Sequence, residues 1–292
     1  MDGVINVYKN KGMTSFDVVR KVKKIAATGK VGHTGTLDPE ACGVLPICIG
    51  KATKIIDYIM NSDKVYEVEF KLGIKTTTYD LEGEVIEEKD TSTLENKKIE
   101  EVINSFIGEY YQIPPMYSAL KQNGVRLYEL ARQGIEVPRE GRLVNIKEIT
   151  NIVINNPYVK MKVRCSKGTY IRSLCYDIGG KLEVGATMTE LKRTRTSNFS
   201  EEGAINIDCL TSENIKDYLI SIDEALSSYD KLIISNKFSK LLINGVKVFD
   251  KRLTKSKVEI GKLYRVYDEN KKFIGLGKAD GKGFKIEKLL II

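Results

Sequence analysis

Residues 65–72 alternate along the chain. Tyr66, Val68, Phe70 and Leu72 fall on one side, and Glu67, Glu69 and Lys71 on the other. Residues 158–165 repeat the pattern, with Val159, Met161, Val163 and Cys165 opposed to Lys160, Lys162 and Arg164. A period of two with one apolar side predicts half-buried antiparallel strands. Helical spacing appears elsewhere: Phe16, Val19, Val22, Ile25 and Ala26 follow it, with Ser15 as cap and Gly29 as stop. Residues 100–108, 127–132 and 170–182 also read as helices. Strands and helices do not alternate regularly, so the chain is predicted to be α+β rather than doubly wound.

Near residue 230 the texture changes. Residues 201–230 hold eight acidic residues and one basic, whereas 231–292 hold sixteen basic and six acidic. In the tail, runs at 263–267 and 272–276 flank Asp268-Glu269-Asn270 as a hairpin, and a further run covers 284–292. Two units are therefore expected: a domain over 1–230 and a small β-barrel-like module over 231–292. The 292 residues are 42% hydrophobic, enough for a sizeable core, and no apolar run approaches the roughly 18 residues of a membrane span. The N-terminus carries Asp2 and no apolar leader segment. Five cysteines, an odd number without a C-x-x-C pair, argue against a disulfide framework or a zinc ribbon and fit a reducing, cytoplasmic compartment. Net charge is +8; the excess lies in the tail and in residues 160–195, which hold nine basic and three acidic residues. Two separate basic regions suit a polyanionic partner.

Chemistry concentrates at residues 32–46. Three glycines, two prolines, the only histidine and Asp38 lie within this stretch, which can be neither a regular helix nor a regular strand. Pro39 restricts Asp38 to an extended backbone and so fixes where its carboxylate points. From the residues alone, Asp38 could equally make a turn or cap a helix starting at Pro39, and His33 could simply be a loop hydrogen bonder. There is no G-x-S-x-G elbow and no G-x-x-x-x-G-K-[ST] phosphate loop. Residues 113–132 interleave Tyr117 and Tyr128 with Lys121, Arg126 and Arg132. Bases stack on aromatics while cations neutralise phosphates, so the segment suits RNA; an amphipathic surface helix would have the same look. Residues 164–172 run from a strand through Gly168 into a helix capped at Thr169. Arg172 then sits in the first helical turn, where it opposes the helix dipole and calls for a partner such as a carboxylate.

Taken together, G-H-T-G-T-L-D-P at 32–39, the strand from Tyr66 to Gly73, P-P-x-x-S-A-x-K at 114–121, L-Y-x-x-A-R at 127–132 and C-S-K-G-T-Y-I-R at 165–172 closely resemble the TruB-type tRNA pseudouridine-55 synthases. The resemblance spans nearly the whole chain. It implies a mixed, mainly antiparallel pseudouridine synthase sheet flanked by helices, and a C-terminal PUA RNA-binding domain. It implies isomerisation of the T-loop uridine of tRNA, with the base flipped out, no cofactor and no metal. Asp38 would be the nucleophile, Tyr66 would stack on the base near its C5 proton, and Arg172 would pair with Asp38. His33, Tyr170 and Leu191 would line the uridine pocket. Residues 114–140 would grip the T-arm, and Lys9, Lys121, Arg126 and Arg132 would contact RNA. Asn10 stands where the family usually has proline. An adjacent arginine is expected to lower an Asp pKa by about 1–3 units. The enzyme is expected to act as a monomer without an obligate protein partner, and a chain ending near Asp230 is expected to fold. The alternatives are an RNA-binding or tRNA-folding protein on the same scaffold, and a guide-dependent synthase.

Overall fold

The computed structural model describes residues 1–291. The large domain is built on strands β1 (Gly3–Lys9), β2 (Val31–His33), β3 (Cys42–Ile49), β4 (Lys64–Leu72), β5 (Gly108–Gln112), β6 (Arg142–Asn155), β7 (Tyr158–Cys165) and β8 (Ala186–Thr196). The sheet order is β1-β3-β8-β4-β7-β6-β5, with β2 paired to β3 and a short strand, Ile205–Asn206, beside β1. Only two pairings are parallel, that short strand on β1 and β3 on β8. The expected mixed, mainly antiparallel sheet is present. On β4 and β7 the apolar positions face the core as the alternation predicts, and Tyr66 lies opposite Val163.

Helices α1 (Ser15–Ile25), α2 (Ile56–Met60), α3 (Asn96–Asn104), α4 (Leu127–Arg132), α5 (Ile171–Lys181), α6 (Ile222–Ala225) and α7 (Asn236–Ile243) complete the fold. The main core joins Val18 and Val22 of α1, Ile99 and Ile103 of α3 and Leu174 and Ile178 of α5 to the inner side chains of the sheet. Three helix starts differ from the sequence reading, one of them α3, which begins at Asn96 rather than at residue 100. Thr14, not Ser15, caps α1 through a capping box with Asp17, and Phe16 is 62% exposed. Helix α5 begins after Tyr170, and the Thr169 hydroxyl bonds the Ser166 carbonyl. No described helix is long and apolar enough to cross a membrane.

The tail forms a second sheet, β9 (Asp230–Ile233), β10 (Leu263–Tyr267), β11 (Phe273–Asp280) and β12 (Gly283–Leu289), in that order. The expected hairpin is β10–β11. The last expected strand ends at Leu289, and residue 292 lies outside the described residues. The expected barrel does not close. The outer strands β9 and β12 are not paired with each other, and single bridges from Val248 and Ile260 supplement β12 and β11 instead.

The tail is packed onto the large domain. Leu276 and Leu290 join a shared core with Val4, Val44, Ile55, Ile59 and Leu226. Arg265 donates to the Tyr229 carbonyl at 2.9 Å and to Asp223 Oδ1 at 3.0 Å, and the Tyr267 hydroxyl bonds the same carboxylate. This changes the expectation for a shortened chain. Ending at Asp230 would bare Ile55, Ile59 and Leu226, so that protein is expected to aggregate. Leu276→Ala tests the same interface more gently and should cost about 2–5 kcal/mol. A thermal melt equal to wild type would show that the shared core does not hold the large domain.

Candidate active site

Residues 34–41 leave β2 and return as β3. Ser15 at the start of α1 fixes this loop from one side: its Oγ accepts from Leu37 N at 2.8 Å and donates to Leu37 O at 3.0 Å. From below, Lys9 Nζ donates to Pro39 O (3.0 Å), Asn10 O (3.0 Å) and Met13 O (2.7 Å). Lys9 is 0% exposed, and burial pulls its ammonium down to about 8. The expected RNA contact at Lys9 is therefore corrected: its three donors are spent on carbonyls and no phosphate can reach it. Asn10, in the position where proline was expected, exchanges amide hydrogen bonds with Asn206 at 3.0 and 3.1 Å and bonds Asp208 at 2.7 Å. Those bonds anchor the N-terminal loop that a proline ring would otherwise stiffen.

Asp38 thus sits on a fixed backbone, with its side chain 31% exposed. Arg172, on the first turn of α5, meets it with two prongs: Nη2 to Oδ1 at 3.0 Å and Nε to Oδ2 at 3.0 Å. The same guanidinium donates to Asp80 Oδ2 at 3.2 Å, Thr78 O at 3.3 Å and Tyr117 O at 2.9 Å. All of its donors are used, and the carboxylate partner called for at that helical position is present twice. Asp80 was not singled out in the sequence. It follows Tyr79, a residue with φ of 66° whose ring stacks on Tyr176 at 4.0 Å, and this turn aims the carboxylate at Arg172. A run Thr76-Thr77-Thr78 ahead of an aspartate, in a chain with a guanidinium needing partners, was the available signal.

One arginine between two carboxylates leaves a net negative charge, so its pull on Asp38 is shared. Burial pushes the Asp38 carboxyl above the ordinary carboxylate range, Arg172 opposes this, and Asp80 adds to it. The expected downward shift is corrected: desolvation and the second carboxylate outweigh the pair.

Tyr66 lies on β4 directly across from Arg193 of β8, and Val68 across from Leu191. Both site residues are buried in the main core, as a core tyrosine would also be. Burial holds the Tyr66 phenol up, Arg193 pulls it down, and Asp38 is close enough to raise it further. Tyr170 caps α5 without a side-chain bond; its N–H and C=O are held by the Gln112 amide at 2.8 and 3.0 Å. Burial raises its phenol too, with Ser118, Arg172 and Asp38 nearby. The Asp38 charge reaches both phenols, and the Arg172 charge reaches Tyr170. His33 ends β2, and its Nδ1 accepts from Gly35 N at 3.3 Å. Burial and Arg193 lower its pKa, so it is neutral at pH 7.

Lys121, Arg126 and Arg132 stand apart from this cluster, exposed on the 114–140 segment. The guanidinium carbons of Arg126 and Arg132 lie 5.8 and 5.5 Å from the Tyr128 ring centre. The Tyr117 carbonyl on Arg172 links the root of this segment to the site.

Known proteins share the fold and much of the sequence. Residues 23–171 match the TruB family pseudouridylate synthase N-terminal domain. Residues 172–234 match the tRNA pseudouridylate synthase B C-terminal domain, and 232–286 the pseudouridine synthase II TruB C-terminal domain. A tRNA pseudouridine synthase B of Clostridium perfringens (strain SM101 / Type A) is 63% identical over 292 residues, covering 100% of this chain and 99% of that protein. One from Clostridium tetani (strain Massachusetts / E88) is 58% identical over 291 residues, covering 100% of each. Among solved structures, a Cbf5-Nop10-Gar1 complex contains a chain at TM-score 0.76 and 28% identity, with 98% of this chain and 84% of that one covered. The fold is that of a pseudouridine synthase. The chain belongs to the TruB family.

Proposed function

We propose that the chain isomerises the T-loop uridine at position 55 of tRNA to pseudouridine, with Asp38 as nucleophile. One observation carries this reading: a carboxylate gripped two-pronged by Arg172 lies on a rigid loop, within electrostatic reach of the buried Tyr66 and Tyr170. In the reaction the N1–C1′ bond breaks, a C5–C1′ bond forms, C5 loses its proton and N1 gains one. Asp38 bonds transiently to the nucleoside, at base C6 or at ribose C1′, and leaves again as the carboxylate once the C5–C1′ product forms. The base must leave its stack, which costs a few kcal/mol, and stacking on an aromatic ring returns roughly 1–3 kcal/mol. Tyr66 supplies that stack and, with its own phenol proton first lost to solvent, takes the C5 proton as the phenolate. Leu191 and Tyr170 close the pocket, with His33 as a neutral neighbour.

The 114–140 segment supplies the T-arm grip through Lys121, Arg126 and Arg132, with Tyr128 between the two guanidiniums. The basic tail, 231–292, is a PUA-like second RNA contact on a domain over 1–230. The enzyme works as a monomer in the cytoplasm, without a guide RNA or partner protein. The test is incubation of the pure protein with an unmodified tRNA transcript, followed by chemical mapping of pseudouridine. One modified residue, at position 55, is expected. Turnover only with added guide RNA would make this a guide-dependent synthase, and binding without turnover would make it an RNA-folding protein.

A further inference from the structure

Arg193 is the largest side chain in the molecule with less than 2% of its surface exposed, at 1%. It takes part in no ion pair among the described residues. Its Nε donates to Val44 O at 2.8 Å and its Nη2 to Gly35 O at 3.1 Å, with Nη1 at 3.5 Å from Thr36 O. Those carbonyls bracket the Asp38 loop on both sides. Gly43, with φ of 110°, packs so closely on the Arg193 backbone that a Cβ would strike it. A buried cation without a counter-ion is costly, and chains retain one where its charge is used.

The use is legible in the register. Arg193 lies opposite Tyr66 on the same face of neighbouring strands, and it is the strongest charge acting on the Tyr66 hydroxyl. The other ionisable groups acting on that hydroxyl are Cys165 of β7 and Asp38 from the loop. Both are weaker, and both oppose the loss of its proton. On the far side, Arg193 acts on Lys9, Lys64 and His33, a further sign that its charge is unneutralised.

We propose that Arg193 is a positioning residue for both halves of the site: its fork fixes the Asp38 loop, and its charge makes the Tyr66 oxygen available to receive the C5 proton. A buried phenol is a poor base because its anion is poorly solvated, and a fixed cation beside it supplies the missing stabilisation. The inference rests on the proton-accepting role proposed for Tyr66.

The test is single-turnover pseudouridine formation against pH, with tRNA affinity measured alongside, for wild type, Arg193→Gln, Arg193→Lys, Tyr66→Phe and Tyr66→Phe/Arg193→Gln. Gln keeps amide donors near the carbonyls but loses the charge. It should slow the step roughly 10- to 100-fold and shift the upper limb of the pH profile, set by Tyr66 and separate from the Asp38 acid limb, to higher pH by about one unit. Lys keeps the charge and loses the fork, so its pH dependence should stay in place. Relative to Tyr66→Phe alone, the double variant should lose only what Arg193→Lys loses relative to wild type, because the charge acts through that hydroxyl and only the share of the fork remains. The full Gln effect multiplied into the double variant, or an unshifted pH profile in the Gln variant, would overturn the proposal. Should the Gln variant fail to fold, Lys decides: a shifted profile there refutes the assignment, and an unshifted one upholds it. A wild-type rate in Tyr66→Phe would instead remove the Tyr66 reading itself.

Discussion

Asp38→Asn is expected to abolish pseudouridine formation while leaving tRNA affinity within about threefold. An amide cannot supply the nucleophilic oxygen, so the loss should reach at least about four orders of magnitude. Affinity should survive because the carboxylate occupies one point of the pocket, whereas the RNA contacts proposed above are spread over Lys121, Arg126, Arg132 and the basic tail. Stability should not fall either. A carboxyl whose pKa is raised by folding binds its proton more tightly in the folded chain. It therefore opposes folding at pH values above that pKa, and the opposition fades as pH falls through it. At pH 7 the Asn variant should melt at or above the wild-type temperature. Asp38→Ala serves beside it, since slow deamidation of an introduced asparagine would restore the nucleophile. Turnover by the alanine variant would remove Asp38 from the chemistry.

Much of the scaffold was readable from the chain because it rests on short-range periodicity. The strands β4 and β7 alternate cleanly, and the β10–β11 hairpin is marked by its polar turn. What escaped depends on contacts between distant segments. Phe16 has helical spacing, yet the phase of α1 is set by Ser15 turning into the Asp38 loop, which leaves Phe16 outside. Lys9 looks like a surface cation until Met13 and Pro39 bring their carbonyls to it. Barrel closure needs outer strands to meet, and no local pattern encodes that they do not. The start of α3 at Asn96, four residues before the expected one, is not legible in the sequence because its first turn, Asn96-Lys97-Lys98, carries no apolar marker.

The site shows the same division. Asp38 and Arg172 stood out because each sits in a locally awkward place, one before a proline and one against a helix dipole. Arg193 had a signal that went unread: on β8 it occupies the inward phase shared with Leu191, where an alternating strand should carry an apolar residue. Asp80 had a weaker one. A guanidinium carries five donors, and one carboxylate could not satisfy them.

Arg172→Lys should lower the chemical step by roughly 10²- to 10³-fold, although charge is conserved. An ammonium is a point charge on a flexible stem. It cannot hold both Asp38 oxygens, Asp80 and the Tyr117 carbonyl at once, as the planar fork does. The carboxylate would then be less well aimed. Arg172→Met goes further, because it leaves Asp38 and Asp80 facing each other with only the buried Lys9 ammonium opposing them. Two close carboxylates cannot both ionise readily, so the Asp38 pKa should climb beyond its already raised position. The sign follows from the role: attack requires the ionised form, so activity is lost as pH falls through that pKa. In wild type the acid limb of the single-turnover rate should lie above the ordinary carboxylate value of about 4. With Lys it should stay close to that position while the plateau drops. With Met it should move to higher pH. An acid limb that is identical in all three proteins would mean that Arg172 does not govern Asp38 ionisation, and a wild-type plateau in the Lys variant would mean that the two-pronged grip is not needed.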